Sequence, residues 1–349
     1  MKKILLNLSL EELKEEIISL GEKSFRAGQI FKSLHLGLEF EEMTDISKDF
    51  RNKLSNDFIA QPVKIIKSFL SKDGTEKFLF SLFDGNLIEG VLMRYKHGAT
   101  LCVSTQVGCR MNCAFCASGL EGLVRNLEPG EILGEIISVN RHLNGGLQDK
   151  RGITNVVMMG SGEPLDNYQN VVKFLKLVSA KEGINISPRN ISLSTAGLVP
   201  QMYNLANEGI PINLTVSLHS PIDQERQKIM PIAKAYSIKE ILDACQNYFD
   251  KTGRRYIFEY VLIKDNNDSE RHSNALISLL KGRPCHVNII RLNEVKEKEL
   301  KSASDKAAYR FMGVLEKAGL SATVRRRMGD DIEGACGQLR RRYLEDNNI

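Results

Sequence analysis

The sequence predicts an α/β protein built on a partial barrel, and three observations carry that expectation. From about residue 97, strand-like runs at 100–107, 154–160, 190–195, 212–219, 255–263 and 286–292 alternate with helical stretches at 128–143, 167–181, 198–208, 237–250 and 269–281. Such alternation means parallel strands joined by crossover helices. The repeats are fewer than the eight of a closed TIM barrel. No Gly-rich dinucleotide turn follows the first strand, which argues against a doubly wound sheet. The expected core is therefore a partial (β/α)6 barrel.

Ahead of it, Ser9-Leu10-Glu11-Glu12 matches a capping box, and Gly21 closes the helix that it starts. Two further amphipathic segments place Ile30, Phe31 and Leu34 on one face and Phe50, Leu54 and Phe58 on another. Lys48, Arg51 and Lys53 decorate the latter; locally they read as a solvated face somewhat more readily than as an RNA contact. Asp73-Gly74 and Asp84-Gly85 are hairpin signals between strand-like runs 63–71, 75–83 and 86–95, which together predict a three-stranded meander. Glu89 falls in phase with Leu87, Val91 and Met93. By itself it reads as an edge-strand acid facing water; the alternative is a desolvated carboxylate of the kind used as a general base.

With 349 residues, 42% hydrophobic and 26% charged, the chain can bury a large core, and its length suggests about two domains. A net charge of +5 permits nucleic-acid binding without demonstrating it. The apolar run after Met1-Lys2-Lys3 is too short for a signal peptide, and acids follow from Glu11. No run approaches the roughly 18 apolar residues of a membrane span. Seven cysteines without an export signal point to a reducing cytoplasm.

Four of those cysteines lie in Leu101–Ser118, where Cys109, Cys113 and Cys116 are spaced C-x3-C-x2-C. Thiolates so close in sequence suit an iron–sulfur cluster or zinc. A structural zinc wants four ligands, and the next Cys or His after Cys116 is His142. Three ligands on a four-iron cluster leave one iron open for a small-molecule chelator, which is the better reading.

Strand periodicity sorts other candidates. Side chains alternate between faces, so Ile212, Leu214, Val216 and Leu218 oppose Thr215, Ser217 and His219, while Ile191, Leu193 and Thr195 oppose Ser192 and Ser194. Polar residues at the C-terminal ends of barrel strands are where α/β barrels build sites, so Ser194, Ser217 and His219 are expected to share a cavity. The same alternation puts Cys102 in phase with Ser104 and Gln106. Gly160-Ser161-Gly162-Glu163-Pro164 ends the second strand with glycines that let a ligand approach the backbone and a carboxylate that could meet an amino group. Cys245 and Cys285 read as core, whereas Cys336 sits in Gly334-Ala335-Cys336-Gly337 between Arg325–Arg327 and Arg340–Arg342. Nearby arginines favour thiolate and can hold phosphate.

With these residues in place, the chain resembles the radical S-adenosylmethionine (SAM) superfamily through its C-x3-C-x2-C loop and Gly160–Pro164, and within it the RlmN/Cfr group of RNA adenosine methyltransferases. The resemblance runs over nearly the whole chain, through Phe25-Arg26-Ala27-Gly28-Gln29, Ser217-Leu218-His219-Ser220, Asn288–Asn293 and Gly329-Asp330-Asp331-Ile332 into Ala335-Cys336-Gly337-Gln338-Leu339. It implies a [4Fe–4S] cluster on Cys109, Cys113 and Cys116, and SAM, two molecules per turnover, at Gly162, Glu163, Ser194, Ser217, Leu218, His219 and Asn293. The first SAM would methylate Cys336; the second would yield a radical that takes hydrogen from that S-methyl group. The carbon radical then adds to adenine, Glu89 takes the ring proton, and Cys102 releases product through a transient disulfide with Cys336. The radical route suits adenine C2, an electrophilic carbon that polar methyl transfer cannot reach. Pro164 resembles the C2-methylating RlmN branch, since Ala is usual in the C8-methylating Cfr branch. Met328, Gly334 and Ser161 depart from frequent family choices but remove no reactive group.

The implied substrates are adenosine 2503 of 23S rRNA and adenosine 37 of some tRNAs, with a flavodoxin- or ferredoxin-type reductant, no membrane and a monomeric enzyme. The expected organisation is an N-terminal RNA-binding accessory domain at 1–94, a radical SAM core at 95–331, and a C-terminal segment at 332–349 carrying Cys336. Cfr-like C8 methylation and a zinc-containing RNA-binding module are the competing readings, with a radical SAM activase of another protein behind them.

Overall fold

The structure is a computed structural model and describes residues 2–96, 98–295, 297–332, 339, 340 and 343. It opens with β1 (Lys3–Ile4), then α1 (Leu10–Ser19), α2 (Phe25–His35), α3 (Lys48–Asp57) and β2 (Phe58–Ile59), and β1 pairs with β2 in parallel. Ser9 caps α1 as its sequence requires: its hydroxyl accepts the Glu12 N–H while the Glu12 carboxylate accepts the Ser9 N–H. Leu13, Ile17, Ile30, Phe31, Leu34, Phe50 and Leu54 are all buried, each contributing roughly 1.5–3 kcal/mol through lost apolar exposure. Arg51 donates to the Glu41 carbonyl at 2.6 Å and Lys53 to the Leu20 carbonyl at 2.7 Å, so this basic face ties its own helices together.

The meander is β3 (Val63–Leu70), β4 (Glu76–Leu82) and β5 (Leu87–Tyr95), with Gly74 and Gly85 in the left-handed region at its turns. β6 (Gly98–Cys102) pairs antiparallel with β5 and parallel with the next barrel strand, so the meander and the barrel share one sheet. Next come β7 (Gln106–Gly108) and β8 (Leu123–Asn126), an antiparallel ribbon framing the cysteine loop, followed by α4 (Pro129–His142). The alternation then runs β9 (Asn155–Met158), α5 (Tyr168–Val178), β10 (Ile191–Thr195), α6 (Val199–Asn207), β11 (Asn213–Ser217), α7 (Asp223–Ile229), α8 (Ile238–Thr252), β12 (Tyr256–Leu262), α9 (Glu270–Leu280), β13 (Cys285–Arg291), α10 (Asp305–Lys317) and β14 (Ala322–Val324). The sheet order is β14-β13-β12-β11-β10-β9-β6-β5-β4-β3. Its strands from β6 to β14 are parallel, as the strand–helix alternation predicts.

Three local expectations need correction. The run 100–107 is broken after Cys102, because Ser104 turns its N–H to the Glu135 carboxylate instead of a strand neighbour. Strand phase therefore does not extend from Cys102 to Gln106. β11 likewise ends at Ser217, and His219 adopts a left-handed φ of 56°, so its direction is set by a turn and not by the strand. Glu89 does not face water: β5 lies between β4 and β6, and Glu89 is 5% exposed.

Candidate active site

The cysteine loop is shaped by its backbone. Gly108 has φ 78°, and a Cβ there would stand 2.0 Å from the Gly122 carbonyl oxygen, the atom that accepts the Cys109 N–H at 2.9 Å. The Ala114 N–H donates to the Ile229 carbonyl at 2.8 Å, seating the loop on the end of α7. Cys109 and Cys113 are buried and Cys116 half-buried. Burial pushes the Cys109 thiol up to about 12, with Cys116, Glu163 and Asp166 adding to the shift; Cys113 is raised by burial and then by Cys116 and Cys109. The three thiols thus feel one another, and metal binding would have to displace their protons. Among the described residues no three His, Cys, Asp or Glu side chains converge on a single ion. A four-iron cluster takes each thiolate on a different iron and does not need that convergence, so the donor set fits a cluster.

Gly162, at φ 104°, lets the β9 end pass Gln106, and Gln106 Oε1 accepts the Glu163 N–H at 2.9 Å. The buried Glu163 carboxylate accepts the Leu165 N–H at 3.0 Å and the Ala196 N–H at 2.7 Å, linking the ends of β9 and β10. Desolvation nonetheless lifts its pKa to about 7. Ser194 and Ser217 are half-buried at the ends of β10 and β11. Leu218 is fully buried; its N–H donates to the Glu259 carbonyl at 3.0 Å and its carbonyl accepts from Arg226 at 3.1 Å. Its side chain packs into the core.

His219 Nδ1 accepts the Val261 N–H at 3.0 Å, which puts the ring proton on Nε2. Desolvation, reinforced by Arg226, lowers its pKa to about 3, so the ring is neutral. It meets Phe115 of the cysteine loop edge-on, with ring centroids 4.6 Å apart.

A cavity of about 610 Å³ brings Cys102, Cys116 and Asn293 together with Met159, Arg325 and Met328. Ser194, Ser217 and His219 are not in its lining; Glu259 joins them instead. Ser194 Oγ donates to Glu259 Oε2 at 3.1 Å, Ser217 is its register partner on β11, and the His219 N–H reaches its carbonyl at 3.3 Å. Glu259 went unnoticed in the sequence, where its signal is a lone acid inside the apolar run Tyr256–Leu262.

Cys102 ends β6 and packs with Val91 and Met93 against Met159 and Met328. On β5, Glu89 Oε2 pairs with the ammonium of the fully buried Lys77 at 3.1 Å, and Oε1 accepts the Arg340 N–H. Ser104 joins this corner to the β9 end: its Oγ donates to the Glu89 carbonyl at 2.9 Å and accepts the Ser161 N–H at 3.0 Å. Cys336 lies outside the described residues. The chain is held on both sides of it: the Gly329 N–H donates to Asp73 at 3.0 Å and the Lys72 N–H to Asp331 at 3.1 Å before it, and Arg340 binds Glu89 and Glu121 after it. Cys245 and Cys285 are buried in the core, as their sequence positions suggest.

Residues 103–275 match the family model of the radical SAM superfamily, and residues 4–59 match that of the ribosomal RNA large subunit methyltransferase N-terminal domain. A probable dual-specificity RNA methyltransferase RlmN of Clostridium tetani is 49% identical over 348 residues, spanning 99% of this chain and 97% of its own. Its namesake in Clostridioides difficile is 51% identical over 345 residues, spanning 98% and 99%. The crystal structure of a radical SAM methyltransferase from Sphaerobacter thermophilus superposes with a TM-score of 0.92 at 40% identity, covering 96% of this chain and 98% of that one.

Proposed function

Because the chain belongs to the RlmN family of radical SAM RNA methyltransferases, we propose that it forms 2-methyladenosine at adenosine 2503 of 23S rRNA and adenosine 37 of some tRNAs. The observation that carries the reading is the meeting of Cys102 and Cys116 in one cavity, with the chain beyond Cys336 returning to Glu89 beside it. A thiol at the cavity wall, a cluster cysteine and a buried carboxylate support methyl transfer through a further thiol, Cys336.

When bound, a [4Fe–4S] cluster and SAM would supply a 5′-deoxyadenosyl radical. Cys109, Cys113 and Cys116 would hold the cluster. Gly162, Glu163, Ser194, Ser217, Leu218, His219 and Asn293 would surround SAM, two molecules serving each turnover. Leu218 acts there through the placement of its neighbours, and neutral His219 offers an Nε2–H donor. Cys336 would carry the methyl group to RNA. Glu89 would take the proton from adenine C2, with Lys77 stabilising the carboxylate that must receive it. Cys102 would then attack the Cys336 sulfur: the S–CH2 bond breaks with its electron pair going to the carbon, which takes a proton to become the methyl group, and the two sulfurs join. The odd electron left by the radical addition is handed back to the oxidised cluster.

Residues 1–94 would serve as the RNA-binding accessory part, 95–331 as the radical SAM core and 332–349 as the methyl-carrying segment. Arg325, Arg326 and Arg327 at the cavity offer cations for RNA phosphates. Among the described residues no helix is long and apolar enough to cross a membrane. A cytoplasmic monomer fed electrons by a flavodoxin- or ferredoxin-type donor completes the reading. Nucleoside mass spectrometry of rRNA and tRNA treated with the anaerobically purified protein tests it: 2-methyladenosine in both is the expected product. Formation of 8-methyladenosine alone would refute the C2 assignment, and a colourless, zinc-loaded, iron-free protein would refute the enzyme.

A further inference from the structure

Arg226 is the largest fully buried side chain among the described residues. It rises from α7 beneath the cysteine loop. Nε donates to the Leu218 carbonyl at 3.1 Å, and Nη2 donates to the Ala196 and Ser217 carbonyls at 2.7 and 3.1 Å. Nη1 is buried without a hydrogen-bond partner. Among the described residues every hydrogen bond it makes is to a neutral carbonyl and none is to a carboxylate; Asp223 on the same helix acts on it only through space, as does Cys113. Burial lowers its pKa to about 10, which leaves it cationic at neutral pH. Enclosing a guanidinium in this way is costly unless an anion answers it. The neighbouring element is the cysteine loop: Cys113 packs with Ile229 and Ala196, and Ala114 is hydrogen-bonded to Ile229 at 2.8 Å. Three thiolates on a four-iron core give a group of net negative charge, which would supply the directly bonded anion that Asp223 does not.

We propose that Arg226 is the buried counter-charge of the iron–sulfur cluster, with Nη1 held for the Cys113 thiolate or an adjoining sulfide, and that it raises the cluster's reduction potential. Accepting one electron from the external reductant adds negative charge to the cluster, and a cation fixed nearby favours that reduced state. The three carbonyls orient the guanidinium without neutralising it, so its charge stays available. Ala196 ties this arrangement to the Glu163 carboxylate, since its N–H binds Glu163 while its carbonyl binds Arg226. The inference rests on Cys109, Cys113 and Cys116 being the cluster ligands.

The test uses the full-length chain reconstituted anaerobically with iron and sulfide, as wild type, Arg226→Gln, Arg226→Lys and Arg226→Met. Iron content, thermal unfolding of the metal-free protein, and the potential from an EPR-monitored redox titration are measured for each. The expected result is a more negative potential for the Gln variant and a potential near wild type for the Lys variant. A Gln variant that loads its cluster and titrates at the wild-type potential overturns the inference. If the Gln variant does not fold, the charge-free Arg226→Met decides: a lowered potential supports the role of charge, and a wild-type one overturns it. A wild-type protein that takes up no iron refutes the ligand assignment, and this inference with it.

Discussion

Lys77 and Glu89 form an ion pair of 3.1 Å across β4 and β5, with Lys77 fully buried and Glu89 5% exposed. The pair sits one hydrogen bond from the C-terminal arm through Arg340. Removing one member of a buried pair costs about 3–5 kcal/mol, because the other charge loses its partner. Lys77→Met should therefore lower the unfolding free energy extrapolated from urea titration by an amount in that range, moving the midpoint down with it, and the double variant Lys77→Met/Glu89→Gln should recover most of the loss. Equal midpoints for wild type and Lys77→Met would show that the pair contributes nothing.

Glu89→Gln keeps the shape of the side chain and removes its basicity. Loss of a general base typically slows a reaction by roughly 10²–10⁴-fold. We expect methyladenosine formation to fall in that range while 5′-deoxyadenosine is still released, as followed by mass spectrometry of both products. If the two yields fall together, Glu89 acts before radical formation and is not the base.

Cys102→Ala should stop the reaction with RNA covalently attached to Cys336. The adduct would appear on a denaturing gel as a nuclease-sensitive band and in peptide mass spectra as a modified residue 336. Normal turnover with RNA-free protein would remove Cys102 from the mechanism.

His35 is buried between α2 and the barrel, where its Nδ1 accepts the Ile184 N–H at 3.2 Å. Desolvation lowers its pKa from 6.5 to about 3. The unfolded chain therefore binds a proton below pH 6.5 that the folded chain refuses until about pH 3. Stability is full above pH 6.5 and falls as pH drops through that window, by about 1.4 kcal/mol per pH unit from this group. His35→Gln, which can still accept the Ile184 N–H, should flatten the pH dependence of the unfolding temperature by a corresponding amount. An unchanged slope would mean that His35 titrates alike in the folded and unfolded chain.

At Gly162, a Cβ would stand 2.6 Å from Gln106 Cβ, at a φ of 104° that L-residues rarely adopt. Gly162→Ala should cost about 1–3 kcal/mol in backbone strain and weaken SAM binding measured by equilibrium dialysis, since Gln106 holds the Glu163 amide. Wild-type affinity in a stable Gly162→Ala protein would place SAM elsewhere.

By itself the sequence determined the strand–helix alternation, the parallel barrel and the meander, because hydrophobic period and turn residues are local signals. It also singled out Cys109, Cys113 and Cys116 by spacing, and left Cys102 and Cys336 as thiols with no place in core or cluster. The tertiary structure decided what depends on neighbours distant in the chain. Glu89 reads as a surface acid until β4 and β6 close over it and Lys77 meets it. His219 loses its strand phase because β11 ends at Ser217 and the chain turns at His219 itself. Glu259 and Arg226 look like ordinary charges within an apolar strand and a short polar helix. Only the packing of α7 under the cysteine loop, and of β12 between β11 and β13, makes them buried, and burial is what turns a charge into a constraint on its surroundings. Charge desolvation is a property of the whole enclosure, and no window of residues contains it.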